Sequence, residues 1–159
     1  MKLVVQRVRQ AQCVVEGKTV SAIDEGILVY VSFRSGDSAA LIPKMAAKTA
    51  KLRIFEDKEG KMNRSLLDTK GEALIVSQFT LEGDARKGNR PSFTQALNPG
   101  EAATLFKTYV EALKEEAVPV KTGQFQREMQ IHSVNDGPVT ILIERTNEND
   151  QTDEGKRAR

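Results

Sequence analysis

Leu74-Ile75-Val76-Ser77-Gln78-Phe79-Thr80-Leu81 opens as the apolar run of a buried strand and turns polar at Ser77, with no glycine or proline to mark a turn. Read as a strand, it puts Gln78 and Thr80 on one face and Ser77 and Phe79 on the other. A buried hydroxyl or amide left without a partner costs roughly 1–3 kcal/mol, so the segment implies a hydrogen-bond network or a ligand. It is the first place in the chain to look for chemistry.

Upstream of it the residues read as strands over 3–8, 12–16, 19–23 and 27–33, joined by Gly17-Lys18 and Asp24-Glu25-Gly26, the pattern of an antiparallel meander. Residues 39–52 are rich in helix formers, with Leu41, Met45 and Leu52 on one face, and Pro43 suits a first helical turn. A hairpin is expected from 53–56 and 62–67 around Asp57-Lys58-Glu59-Gly60. Downstream, Asn98-Pro99-Gly100-Glu101 supplies an N-cap, a proline at the first helical position and a glutamate two residues on. The helix it opens should run to about Glu116 on a stripe of Leu105, Phe106, Tyr109, Val110 and Leu113. Two last strands, 128–134 and 139–144, flank Asn135-Asp136-Gly137-Pro138, where the Asp-Gly step favours a hairpin turn. Many strands and two helices without regular βαβ alternation give an α+β fold: layered, largely antiparallel sheets, sandwich or barrel-like, with two helices covering one side.

The 159 residues suit a single domain, here 1–145, followed by a polar tail, 146–159, expected to be disordered. A net charge of +2 with 29% charged residues is too small a bias to argue for nucleic-acid binding by itself. One cysteine, Cys13, excludes an internal disulfide and suits a reducing compartment. One histidine, His132, leaves too few nitrogen and sulfur ligands for a zinc site, so neither metal nor cofactor is expected. The N-terminus has no apolar signal region and the apolar run 27–31 is far short of a membrane span, which makes a cytoplasmic protein the expectation.

A serine or cysteine triad would need His132 as its base, and a lone histidine is more often structural or exposed. Ser77 also lacks the flanking glycines of a nucleophile elbow. Arg86, Lys87 and Arg90 put three cations into the loop that follows the polar strand, with Gly88 to let a backbone approach. That loop is either a phosphate-holding segment or a solvated turn.

Val76-Ser77-Gln78-Phe79-Thr80-Leu81, Arg90-Pro91-Ser92-Phe93 and Val134-Asn135-Asp136-Gly137-Pro138-Val139-Thr140 together resemble the D-aminoacyl-tRNA deacylases. The likeness extends through Val4-Val5-Gln6-Arg7-Val8, Leu52-Arg53-Ile54-Phe55-Glu56-Asp57 and Gly60-Lys61-Met62-Asn63, so it covers about 1–144. Pro43, Arg64 and the tail depart from the common pattern. The resemblance implies hydrolysis of the ester joining a D-amino acid to the terminal adenosine of tRNA, with rejection of L-aminoacyl-tRNA and glycyl-tRNA as a further substrate. It implies a homodimer in which Gly137-Pro138, as a cis peptide, enters the partner's active site and excludes an L side chain. Ser77, Gln78, Phe79 and Thr80 would then line the pocket for the aminoacyl adenosine, and Arg86, Lys87 and Arg90 would meet the RNA. Two mechanisms stay open, Thr80 as nucleophile or the terminal ribose 2′-hydroxyl assisting water while backbone N–H groups near Phe79 hold the oxyanion; the absence of a base favours the second. The other readings are a noncatalytic module that binds charged tRNA ends and a general esterase using Thr80 or Ser77.

Overall fold

The computed structural model describes residues 1–147. Its first strand, β1 (Lys2–Val15), is unbroken where the sequence suggested two. Glu16 and Gly17 follow with φ of 50° and 74°, the two positive values of a tight hairpin turn, and bring β2 (Lys18–Ile23) back against the second half of β1. Next comes β3 (Gly26–Ser32), antiparallel to the first half of the same strand. After a 3-10 turn at Ala39–Leu41 lies helix α1 (Ile42–Ala50), with Pro43 in its first turn, where the missing N–H is harmless. A two-stranded flap, β4 (Phe55–Glu56) and β5 (Met62–Arg64), leads into a one-turn helix α2 (Leu66–Thr69). Ser65 and Asp68 cap α2 reciprocally, a local stop signal that ends the expected second hairpin strand early.

The opening segment supplies β6 (Glu72–Ser77), then a 3-10 turn at Phe79–Glu82. Helix α3 (Pro99–Glu115) starts at Asn98, whose side chain accepts the Glu101 N–H at 3.0 Å, and is followed by β7 (Val120–Thr122) and the long β8 (Gln130–Glu144). The layered α+β architecture holds, in a nearly closed sheet. Its order is β2-β1-β3-β6-β7, with β8 on the other edge of β1. β6 pairs parallel with both β3 and β7, because α1 and α3 provide the crossovers that parallel pairing needs; these two parallel ladders are the exception in a largely antiparallel sheet.

β3 and β6 are buried on both faces, which is why they read as unbroken apolar runs. Ile27, Val29, Val31, Ala73 and Ile75 join the main core beneath α1 and α3, while Leu28, Leu74 and Val76 join a second core with Val8, Ala11 and Ile23. Against the main core α3 sets Phe106, Tyr109, Val110 and Leu113. Tyr109 is fully buried, and its hydroxyl meets Thr49 Oγ1 at 2.8 Å, which itself donates to Met45 O at 2.8 Å. Of the residues expected to form a polar tail, Asn147 accepts from Ser38 Oγ at 3.3 Å, and 148–159 lie outside the described residues. No helix among the described residues is long and apolar enough to cross a membrane.

Urea denaturation tests this packing. Leu113→Ala should cost 2–5 kcal/mol, roughly the range for a large aliphatic lost from a core, and Tyr109→Phe about 1 kcal/mol, since Thr49 keeps its bond to Met45. A loss below about 1 kcal/mol for Leu113→Ala would mean that α3 does not hold the main core.

Candidate active site

The strand stops at Ser77, which faces Val31 in the parallel register. Gln78 extends the ladder by one bond, its N–H donating to Val31 O at 2.8 Å, and then turns the chain with φ −145° and ψ 77°. The 3-10 turn that follows is closed by Leu81 N–H to Gln78 O at 3.2 Å and Gly83 N–H to Thr80 O at 3.0 Å. The expected alternation of Ser77 and Phe79 against Gln78 and Thr80 therefore fails, because a strand period cannot run through a 3-10 turn. The Gln78 amide donates to the Thr80 hydroxyl instead. One of the polar side chains thus satisfies another within the segment.

At the carboxyl end of β6 the surface opens into a cleft of about 760 Å³. Ser77, Gln78 and Phe79 line it together with Phe125, Arg127 and Met129. Thr80 is not among its lining residues. Phe79, 60% exposed, packs edge-on against Phe93 with ring centroids 5.3 Å apart, so the cleft carries an apolar aromatic rim. The volume suits a ligand the size of an aminoacyl nucleoside.

The last residue of the 3-10 turn, Glu82, is buried. Ser32, itself buried on the cleft wall, donates to Glu82 Oε1 at 2.5 Å, and Lys2 Nζ lies 3.6 Å from Oε2 while donating to Leu81 O at 2.8 Å. The turn that carries Phe79 is thereby tied to the start of β1 and the end of β3. His132 is exposed on β8 opposite Gln12 and does not line the cleft. Among the described residues no three His, Cys, Asp or Glu side chains gather as a metal site.

Gly137 and Pro138 are elsewhere. Asn135-Asp136-Gly137-Pro138 is not a hairpin turn, since both flanking segments belong to β8 and pair with β1 rather than with each other. The register runs from Gln6↔Thr140 to Val8↔Asn135, so the segment bulges out of one long edge strand. The Gly137–Pro138 bond is cis, and both residues are exposed. Asn135 braces the bulge, accepting from Val139 N–H at 3.1 Å and donating to Thr140 Oγ1 at 3.0 Å.

Arg7 anchors it from within, and sequence reasoning passed over that role. Only 7% exposed, its guanidinium donates through Nη1 to Ile54 O at 2.8 Å and through Nε to Asp136 O at 3.2 Å, with Glu56 at 3.8 Å from Nη2. Gly137 has φ +124°, and a Cβ there would come within 2.8 Å of Val139 Cγ2 and 3.0 Å of Arg7 Nη2, so any side chain would be strained and would push on Val139 or Arg7. The signal was a cation inside the apolar alternation of β1. Neither Gly137 nor Pro138 lines the cleft of its own chain.

The cationic loop is also apart from the cleft. Arg86 is bound to Asp84 through Nε at 2.9 Å and Nη2 at 2.7 Å, while Asp84 and Ser92 exchange backbone bonds at 2.8 and 2.9 Å. The Arg86 side-chain hydrogen bonds hold Asp84 down at about 2, so this pair is intact above the ordinary carboxylate range and is lost only as pH falls through about 2. Lys87 and Arg90 remain exposed.

Compared with known proteins, the sequence profile described as D-Tyr-tRNA(Tyr) deacylase matches residues 4–144. The chain belongs to that deacylase family. It is 51% identical over 144 residues to the D-aminoacyl-tRNA deacylase of Thermotoga petrophila, covering 91% of this chain and 97% of that one. It is 52% identical over 144 residues to the D-aminoacyl-tRNA deacylase of Thermomicrobium roseum, covering 91% and 94%. A solved structure described as a c-Myc DNA unwinding element binding protein superposes with a TM-score of 0.87 at 40% identity, over 91% of this chain and 99% of that one. A probable eukaryotic D-amino acid tRNA deacylase shares the fold, with a TM-score of 0.75 at 19% identity over 89% and 97%. The stretch that this deacylase family shares with the chain holds both the cleft and the Arg7-anchored bulge.

Arg7→Lys is expected to destabilise the protein by about 3–5 kcal/mol in urea denaturation, because a point charge cannot serve carbonyls in two directions as the planar fork does. A variant within about 0.5 kcal/mol of the parent would show that the bulge is held by other contacts.

Proposed function

We propose that the protein hydrolyses the ester bond of D-aminoacyl-tRNA, releasing D-amino acid and tRNA and rejecting L-aminoacyl-tRNA. The observation that carries this is a cleft of nucleoside size at Ser77, Gln78 and Phe79, in a chain of the deacylase family; among the described residues the side-chain hydrogen bond to the Thr80 hydroxyl comes from the Gln78 amide, not from a histidine or carboxylate. Thr80 accepts a hydrogen bond from Gln78, which lowers the electron density a nucleophile needs. The reaction is then water adding to an ester that is already an activated acyl group, aided by the terminal ribose 2′-hydroxyl. Phe79 opens the 3-10 turn on the cleft wall, where its backbone N–H has no partner within the turn, and it serves as an oxyanion donor. The new C–O bond forms to water, the ester bond to the ribose 3′-oxygen breaks, and that oxygen leaves as the tRNA hydroxyl.

Chiral selection is assigned to Gly137-Pro138 of a second subunit. In support, among the described residues β8 pairs only with β1, so its other edge, 15 residues long, is unpaired there, with Val134 and Leu142 exposed. Long edges of that kind are normally covered. Backbone carbonyls of the bulge would take the substrate ammonium and leave no room for an L side chain. Glycine has no side chain to exclude, so glycyl-tRNA is a substrate in this reading. Lys87 and Arg90, with Arg86 held by Asp84, contact the RNA outside the cleft.

Purified protein incubated with D-tyrosyl-tRNA and L-tyrosyl-tRNA should release D-tyrosine at least about 100-fold faster, the discrimination expected when a clash costs a few kcal/mol. Equal or absent release of both would sink the reading, and tight binding without turnover would leave a noncatalytic module. Substrate ending in 2′-deoxyadenosine should be cleaved poorly. Undiminished turnover that Thr80→Ala abolishes would return the chemistry to a protein nucleophile.

A further inference from the structure

Among the described residues that line the cleft, only Arg127 and Glu128 are charged. Arg127 lies on the cleft wall in the run Phe125-Gln126-Arg127-Glu128-Met129, in a loop bent by Gln126 at φ +59° and closed by Arg127 N–H to Gln124 O at 3.3 Å. That wall is firm at its root, where Phe125 packs on Phe106 of α3 with ring centroids 5.8 Å apart. The Arg127 guanidinium is held by Glu16, from the turn between β1 and β2. Both partners are open to solvent, with side chains 50% and 77% exposed.

An exposed ion pair of this kind is worth little, and an incoming oxyanion can replace its carboxylate. The guanidinium fork fits a phosphate at two oxygens. Resting on the aminoacyl-adenosine reading of the cleft, we propose that Arg127 is a phosphate subsite for the RNA 3′ end. It binds the phosphodiester on the 5′ side of the terminal adenosine, and Glu16 occupies the fork until the substrate arrives. The cleft then separates true RNA ends from free aminoacyl nucleosides, and sequence readout is not involved.

The probes are 3′-D-tyrosylamino-3′-deoxyadenosine, whose amide resists hydrolysis, and the same compound carrying a 5′-phosphate. Calorimetric titration of the full-length protein should show the phosphorylated form binding about tenfold tighter. Arg127→Gln should bring that ratio close to one, and Glu16→Gln should raise it, because the competing carboxylate is gone. A wild-type ratio near one, or a ratio that Arg127→Gln leaves intact, overturns the phosphate subsite while leaving the aminoacyl-adenosine reading in place. Binding of neither compound by the wild type overturns both.

Discussion

A single strand carries the molecule. Both edges of β1 are in use along nearly their whole length, with β8 on one side and β3 followed by β2 on the other. Because one strand serves both partners, its bend and twist decide where the sheet closes and which residues enter the two cores. Leu3 and Val5 go to the core beneath the helices, and Val8 and Ala11 go to the second core. At the changeover the ladder with β8 slips, and Arg7 is the residue that fills the space. The slip produces the Gly137-Pro138 bulge, and the buried guanidinium fixes it.

The cleft depends on a different economy of backbone bonds. β6 ends one residue after its last buried position, and the chain folds at once into a 3-10 turn whose far end is tied down by Glu82, Ser32 and Lys2. Phe79 is thus displayed on a turn anchored to two strands, which is the kind of support that positioning chemistry requires. Nothing in that arrangement activates Thr80. A preorganised pocket acting on a reactive ester needs orientation and charge stabilisation more than a strong base.

Local sequence revealed what local forces decide. The polar interruption at Ser77 and Gln78, the Asn98 cap and the stripe of α3 were all legible, because each depends on neighbours a few residues away. The 3-10 turn was hidden because Gln78-Phe79-Thr80 carries strand-forming side chains and no turn residue. Asn135-Asp136-Gly137-Pro138 looked like a hairpin because its composition suits one; the choice is made by the length of β1, which pairs with both flanks. Arg7, Glu82 and Arg127 acquire their partners across more than forty positions of chain, so local sequence does not name those partners, even where, as at Arg7, a cation stands out within a strand's apolar alternation. Arg86 illustrates the reverse case, since a cation that sequence offered to RNA is bound by Asp84 two residues away.

The proposal that cleft and bulge meet across two subunits is tested most directly by subunit complementation. Gln78→Ala, which damages the cleft, and Gly137→Ala, which disturbs the bulge, are each made, shown to be inactive alone, and purified together as a heterodimer through two different tags. One of its two sites then combines an intact cleft with an intact bulge, so the heterodimer should recover roughly half of the wild-type rate on D-aminoacyl-tRNA. A heterodimer as inactive as its parents, or a protein that stays monomeric while cleaving D-aminoacyl-tRNA selectively, would contradict it.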